Sequence, residues 1–197
     1  ALADRAKQVV AEVSYETTDP TIESQIIQLR ASNADALFVI ATGKHATQAI
    51  RKAAELGWTP QIYIPAGSAS VPGVLRPAGA EAARGVITAA NSKSPGDPAW
   101  DDDAGMKTYL AWAKKWAPEL NPNDSFVSGG FTYATILAEL LARCGDTVTR
   151  ENLMRRAAGL QGYATPLTLP GVTLDTSPTD FRPYKALRLQ QFDGTSY

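Results

Sequence analysis

Apolar positions along the first part of the chain switch between two periods. Asp35-Ala36-Leu37-Phe38-Val39-Ile40-Ala41 is an almost unbroken apolar run, which predicts a strand over 36–41 covered on both faces. Thr42-Gly43-Lys44-His45 interrupts it with a short polar turn. Ala46, Ala49, Ile50 and Ala53 then recur at helical spacing up to Gly57, a residue that ends helices because it tolerates the left-handed conformation. Together these form one βα unit of a parallel sheet, and such sheets bind ligands beyond the carboxyl ends of their strands. Here that end is Ala41-Thr42-Gly43-Lys44.

The alternation continues on either side. Gln8 to Tyr15 is β-branched and partly alternating, which predicts a first strand. Asp19-Pro20 offers an N-cap and a proline for the first helical position. Ile22, Ile26 and Leu29 lay one face of that helix on a sheet. Gln61–Pro65 and Gly85–Ala90 predict the third and fourth strands. Strand and helix patterns alternating through residue 90 predict a right-handed parallel α/β layer.

Composition then changes. Asn91-Ser92-Lys93-Ser94-Pro95-Gly96-Asp97-Pro98 is dense in turn formers and predicts a linker or domain crossing. Three helical patterns follow: 102–117 with Met106, Tyr109, Leu110 and Ala113 on one face, 125–144 with Leu137, Leu140 and Leu141, and one from Thr149 with Leu153 and Ala157 inward. No strong strand lies among them, so their apolar faces need a cover from elsewhere. Residues from Tyr163 to Ser177 look extended, and Tyr184 to Phe192 alternates as a final strand turned by Asp193-Gly194.

Composition narrows the function. The chain has 197 residues, 44% of them hydrophobic, which fits one or two globular domains. A net charge of −1 gives no basic field for nucleic acid or an anionic membrane. The amino terminus, Ala1-Leu2-Ala3-Asp4-Arg5, lacks the charged start and apolar core of a signal peptide. The single Cys144 excludes an intrachain disulfide and a cysteine metal cluster, and its place at a helix end predicts a buried structural thiol. One histidine, His45, is read as a partly exposed helix-start residue rather than a catalytic one, since no Gly-x-Ser-x-Gly elbow accompanies it. Asp101-Asp102-Asp103 is read as helix capping rather than a metal site. Gly43-Lys44 lacks the flanking residues of a phosphate loop, and the glycine spacings match no dinucleotide fingerprint. No catalytic group, metal or cofactor is expected.

Several segments, taken in order, resemble one family. Asp19-Pro20-Thr21-Ile22-Glu23-Ser24-Gln25-Ile26-Ile27-Gln28-Leu29-Arg30-Ala31-Ser32-Asn33-Ala34-Asp35 is similar to a lobe-two segment of branched-chain-amino-acid-type substrate-binding proteins of ABC importers, the type I periplasmic binding proteins. So are Gln48-Ala49-Ile50-Arg51-Lys52-Ala53-Ala54-Glu55-Leu56-Gly57, Pro77-Ala78-Gly79 with Arg84-Gly85-Val86, and Leu174-Asp175-Thr176-Ser177-Pro178-Thr179-Asp180-Phe181. The resemblance implies a Rossmann-like parallel α/β lobe two over 1–92 with 183–197, and helices of an incomplete lobe one over 97–162. Residues 91–97 and 163–182 would be hinge crossings. Family members are about twice this length, so the resemblance is to the carboxyl-terminal half. The sheet under the lobe-one helices would come from the amino-terminal half or from another chain.

The family implies capture of a small solute between two lobes, hinge closure, and delivery to a membrane permease outside the cytoplasm. In amino-acid-binding members a lobe-two strand end carries an aromatic over the ligand, and that position falls on Thr42. The acid that grips the ligand's ammonium group falls on Ala66. An unpaired buried ammonium is costly, so a carboxylic or aromatic acid without an amine is favoured. Lys44, Ser68 or backbone amides would hold its acid group. On the lobe-one side Phe126 and Phe131 begin a cleft-facing helix, with core packing an equal reading of either. Two alternatives stay open: a receptor's ligand-sensing domain, and an enzyme with a Rossmann-like lobe.

Overall fold

One side of a parallel sheet organises the first half of the chain. The computed structural model describes residues 7–197. Helix α1 (Glu23–Arg30), strand β1 (Ala36–Phe38), helix α2 (Gly43–Glu55) and strand β2 (Gln61–Ile64) follow one another. Short helices α3 (Arg76–Ala78) and α4 (Ala80–Ala83) lead to β3 (Ile87–Ala90), and β4 (Arg188–Gln191) returns late in the chain. The sheet order is β1-β2-β3-β4. β1 and β2 are parallel with Leu37 opposite Ile62, and β2 and β3 are parallel with Ile64 opposite Thr88. The expected parallel α/β layer is present. The residues divide into two units. The first closes at Thr88 and regains Gln190–Thr195 and Tyr197; the second comprises Ala89–Leu189 and Ser196.

The core of the first unit follows the predicted helical faces. Ile22 and Ile26 of the α1 region and Ala46, Ala49, Ile50 and Ala53 of α2 are buried with Leu37, Val39, Ile62 and Ile64. Each large aliphatic so buried contributes roughly 1.5–3 kcal/mol. Alanines on α2 let helix and sheet approach closely, as their near-zero exposure shows. Gly57 (φ 62°) follows the last turn of α2 in the left-handed conformation that favours glycine.

Four expectations for the strands and α1 change. The run 36–41 is not covered on both faces: Leu37 and Val39 are buried, whereas Phe38 is 67% and Ile40 81% exposed. The period-two geometry of a strand points alternate side chains to opposite faces, and α1 and α2 pack on one of them. Phe38 instead stacks on Tyr63 at 4.7 Å, its parallel partner across the ladder. Residues 9–15 form no strand, and Val9 and Val10 are exposed. Asp19 does not cap α1: its carboxylate accepts the Glu16 N–H at 2.9 Å, closing a local turn, while Thr21 faces the Glu23 N–H at 3.3 Å. In the final strand alternation does not bring burial, because Leu187 and Leu189 are exposed and only Phe192 is enclosed.

The second unit is built on helices α5 (Ala104–Trp116), α6 (Ser125–Cys144) and α7 (Arg150–Ala157). Asp103 caps α5 by accepting the Met106 N–H, Asp124 caps α6 and Thr149 caps α7. Met106, Tyr109 and Ala113 turn inward as expected, with Phe131 and Leu167. Leu110, Leu137 and Leu141 do not: they are exposed, because the helical arcs buried here are narrower than their apolar arcs. Leu140 packs with Leu160 and Leu174, and Leu153 and Ala157 of α7 lie against that cluster. Cys144 is free and buried. Among the described residues α6 alone is long and apolar enough to cross a membrane, yet Phe131, Thr132, Leu140 and Cys144 are packed inside this unit.

A partly buried ion pair ties together three segments of the second unit, at Lys93, Asp103 and Pro166. The Lys93 ammonium, 9% exposed, lies 2.7 Å from both Asp103 carboxylate oxygens and 3.0 Å from the Pro166 carbonyl. The Lys93 N–H donates to the Leu167 carbonyl at 2.8 Å. The Lys93 contact holds the Asp103 carboxyl below the usual carboxylate range, helped by the Met106 amide. Gly105 lies against this lock, and an added Cβ would meet the Pro166 carbonyl oxygen at 2.0 Å.

Two outcomes follow from this lock. Gly105→Ala forces the Pro166 segment to move and should cost about 2–3 kcal/mol, or roughly 5–10 °C in Tm by calorimetry. Lys93→Met leaves Asp103 without its cation and should cost about 1–3 kcal/mol at pH 7. Because the folded Asp103 pKa is depressed, its stabilisation is complete above the unfolded value of about 4 and fades as pH falls through the lower folded value. Thermal unfolding between pH 7 and 2.5 should therefore show a shallower acid loss in Lys93→Met than in the wild type.

Candidate ligand-binding site

The end of β1 passes directly into the start of α2. The Val39 N–H still donates to the Tyr63 carbonyl at 2.9 Å, extending the ladder one residue beyond the strand. Three residues later Thr42 is extended (φ −66°, ψ 161°), and its carbonyl accepts the Ala46 N–H at 2.8 Å to open the helix. The Thr42 side chain does not cap α2. Its hydroxyl lies 2.8 Å from Nδ1 of His45 instead.

His45 joins separate pieces of chain. Its ring is 1% exposed, and Nε2 lies 2.9 Å from the Asp19 carbonyl. The Tyr15 ring sits 4.8 Å away by centroid, and the Tyr15 hydroxyl accepts the Thr42 N–H at 2.9 Å. The helix-start position of His45 is as expected, but the partial exposure is not. Helical side chains lean toward the amino terminus, which folds this ring back under Thr42 and gives both nitrogens partners.

The loop after β2 meets the same strand end. Residues Ala66–Ser68 form a 3₁₀ turn, with the Ser68 N–H donating to the Pro65 carbonyl at 2.9 Å. The buried Ser68 hydroxyl donates to the Ala41 carbonyl and ties the two strand ends together. Thr47 reinforces the turn by donating to the carbonyls of Gly43 and Val74. Thr42, Lys44, Ala66 and Ser68 therefore gather at adjoining strand ends of the first unit. The first three are exposed and Ser68 is enclosed.

Phe126 and Phe131 belong to the second unit. Phe126 is exposed in the first turn of α6, whereas Phe131 is buried 5.2 Å from the rings of both Tyr109 and Trp112. Tyr15 was not among the residues expected at the site. Its one sequence signal is its place as the aromatic ending the first β-branched segment.

The groups gathered here are hydroxyls, an ammonium and backbone amides, which can hydrogen-bond a solute. The one imidazole has both nitrogens engaged, and no cluster of three metal-ligating side chains exists among the described residues. A strand end with exposed hydroxyl, ammonium and small side chains is the place where an open α/β sheet holds a ligand.

Comparison with known proteins identifies the lineage. The model of the periplasmic binding protein family matches residues 2–196. The chain belongs to the periplasmic binding protein family. No curated protein matches it at a significant level. Among solved structures this periplasmic binding protein is similar to a branched-chain amino acid ABC transporter protein from Thermus thermophilus with bound valine. The two share 17% identity at a TM-score of 0.75, over 94% of this chain and 49% of that one. It is also similar to Rp1789 of Rhodopseudomonas palustris, at 21% identity and a TM-score of 0.72, over 100% of this chain and 57% of that one. The leucine binding protein LivK of Thermotoga maritima is 16% identical at a TM-score of 0.70, over 94% of this chain and 49% of that one. These likenesses establish the type I periplasmic binding fold. The chain spans about half the length of the structures it matches.

The His45 network makes a stability prediction. His45→Leu removes the donor to the Asp19 carbonyl and the partner of the Thr42 hydroxyl. It should cost about 1–3 kcal/mol in urea unfolding, and a variant as stable as the wild type would show that the ring is not a structural tie.

Proposed function

We propose that this chain supplies the lobe-two half of the binding site in an extracytoplasmic solute-binding protein that serves an ABC importer. The solute is a small carboxylic or aromatic acid in preference to an amino acid, and the protein catalyses no reaction on it. The observation that carries this reading is the chemistry of the strand-end cluster. Residues 40–44 and 65–68 contain a hydroxyl at Thr42, an ammonium at Lys44 and a methyl at Ala66, and no carboxylate. A cationic Lys44 beside the amino-terminal turn of α2 suits an anion, since both the charge and the open amides of that turn attract one.

The apolar surfaces of the two units support a longer protein. Phe38 and Ile40 on the sheet face, and Phe126, Tyr133, Leu137 and Leu141 along α6, are exposed in this chain. We assign their cover to the remainder of the full-length protein, and with it a lobe two over 1–92 with 183–197 and lobe-one helices over 97–162. Residues 91–97 and 163–182 are the hinge crossings in this reading, and delivery to the membrane permease follows ligand capture.

Ligand preference tests the reading. An ammonium group placed at Ala66 lacks a charge-assisted partner worth about 1.5–3 kcal/mol, roughly ten- to a hundred-fold in affinity. In a thermal-shift screen of the full-length protein, 4-methylpentanoate and phenylacetate should stabilise more than leucine or valine. Stabilisation by leucine or valine alone would overturn the proposal. Ala66→Glu should move the preference toward leucine.

A further inference from the structure

The hydrogen-bond partners of Thr42 fix which kind of atom it can offer a solute. The Asp19 carbonyl is an acceptor only, so the contact at 2.9 Å requires the proton on Nε2 of His45. A neutral imidazole then has a lone pair on Nδ1, and the contact at 2.8 Å requires the Thr42 hydroxyl to donate into it. The Thr42 N–H is used by the Tyr15 hydroxyl, and the Thr42 carbonyl by Ala46. The Thr42 oxygen does not cap α2. Every donor of Thr42 is therefore committed to protein, and the hydroxyl oxygen of this exposed residue retains a lone pair. The Tyr15 hydroxyl accepts from Thr42 and keeps its own proton, which no described residue receives.

We infer that His45 is a positioning residue that makes Thr42 an acceptor-only recognition point, so that the solute carries a hydroxyl donor there beside its acid group. Tyr15 and Lys44 supply the donors for the carboxylate, and the bound molecule is a hydroxy acid. This rests on the proposed carrier function and narrows its solute class. Serine in place of Thr42 keeps the polarity. Valine keeps the shape and removes the acceptor.

Two measurements test the inference separately from the function on which it rests. In histidine-labelled protein at about pH 8.5, well above the ordinary imidazole pKa of about 6.5, the ¹⁵N spectrum should show a proton on Nε2 and a hydrogen-bonded Nδ1. The His45 signal is assigned by its loss in His45→Gln. In Thr42→Val the Nδ1 signal should move to the position of an unbonded nitrogen while Nε2 stays in place, a change that general loosening of the site would not produce. A proton on Nδ1 in the wild type, or an Nδ1 signal unmoved in Thr42→Val, overturns the inference. Equilibrium binding to the full-length protein then compares 2-hydroxy-4-methylpentanoate with 4-methylpentanoate. The hydroxy acid should bind about ten-fold more tightly, with the preference kept in Thr42→Ser and lost in Thr42→Val. Equal affinities in the wild type overturn the inference. Binding of neither acid overturns the proposed solute class, and the tautomer measurement still decides the role of His45.

Discussion

The imidazole of His45 sits where three segments must be held together for the strand end to have any fixed shape. It reaches the turn at Asp19 through Nε2 and the strand end at Thr42 through Nδ1, while its own backbone belongs to α2. A buried imidazole needs both nitrogens paired, since an unpaired buried polar atom costs about as much as a hydrogen bond contributes or more. One ring with two distinct nitrogens meets that need from two segments at once. Neither a hydroxyl nor a lysine has the two opposed, rigid polar points required. The Ser68 hydroxyl performs the matching task between β2 and β1 by closing on the Ala41 carbonyl.

The second unit is held by a different device. Three of its segments converge on Lys93, whose ammonium donates to the Asp103 carboxylate and the Pro166 carbonyl. Asp103 also caps α5, so the same carboxylate fixes the start of a helix and the position of the incoming chain. The rest of this unit leaves apolar surface in the open. Phe126 and Tyr133 are exposed on α6 although the same helix buries Phe131, Leu140 and Cys144. An apolar stripe of that length on a helix already packed on its other side is what a two-sided helix layer requires.

Much of the architecture was legible from periodicity. The α2 face was given by Ala46, Ala49, Ile50 and Ala53, because helical spacing is a property of local geometry that burial later uses. Strands β2 and β3 and the three later helices were equally visible, and so was capping by the run that contains Asp103. The strand over 9–15 was not, since β-branched residues show only that a segment favours extension; whether a neighbour pairs with it is non-local. Asp19 failed as a cap for a related reason. Its short acceptor serves a tight turn and a helix start equally well, and here it took the Glu16 amide. At the candidate site Thr42, Lys44, Ala66 and Ser68 were legible only through the family resemblance, with Thr42 and Lys44 also marked by their place after a strand, whereas Tyr15 and the buried role of His45 were not legible.

By itself the sequence determined the α/β class, the alternation of strand and helix from α1 onward, the inward faces of α1 and α2 and the family to which the chain belongs. Those depend on spacing and on residue type, both of which are written along the chain. Only the tertiary structure decided which face of β1 is covered, with Leu37 and Val39 inside and Phe38 and Ile40 outside, because an apolar run has no polar residues to break the symmetry between faces. It also decided that a lone histidine is a tie between Asp19 and Thr42 rather than a surface residue. Partners twenty-six and three residues away lie at one ring through folding alone, and no local pattern can announce a contact that the rest of the chain creates.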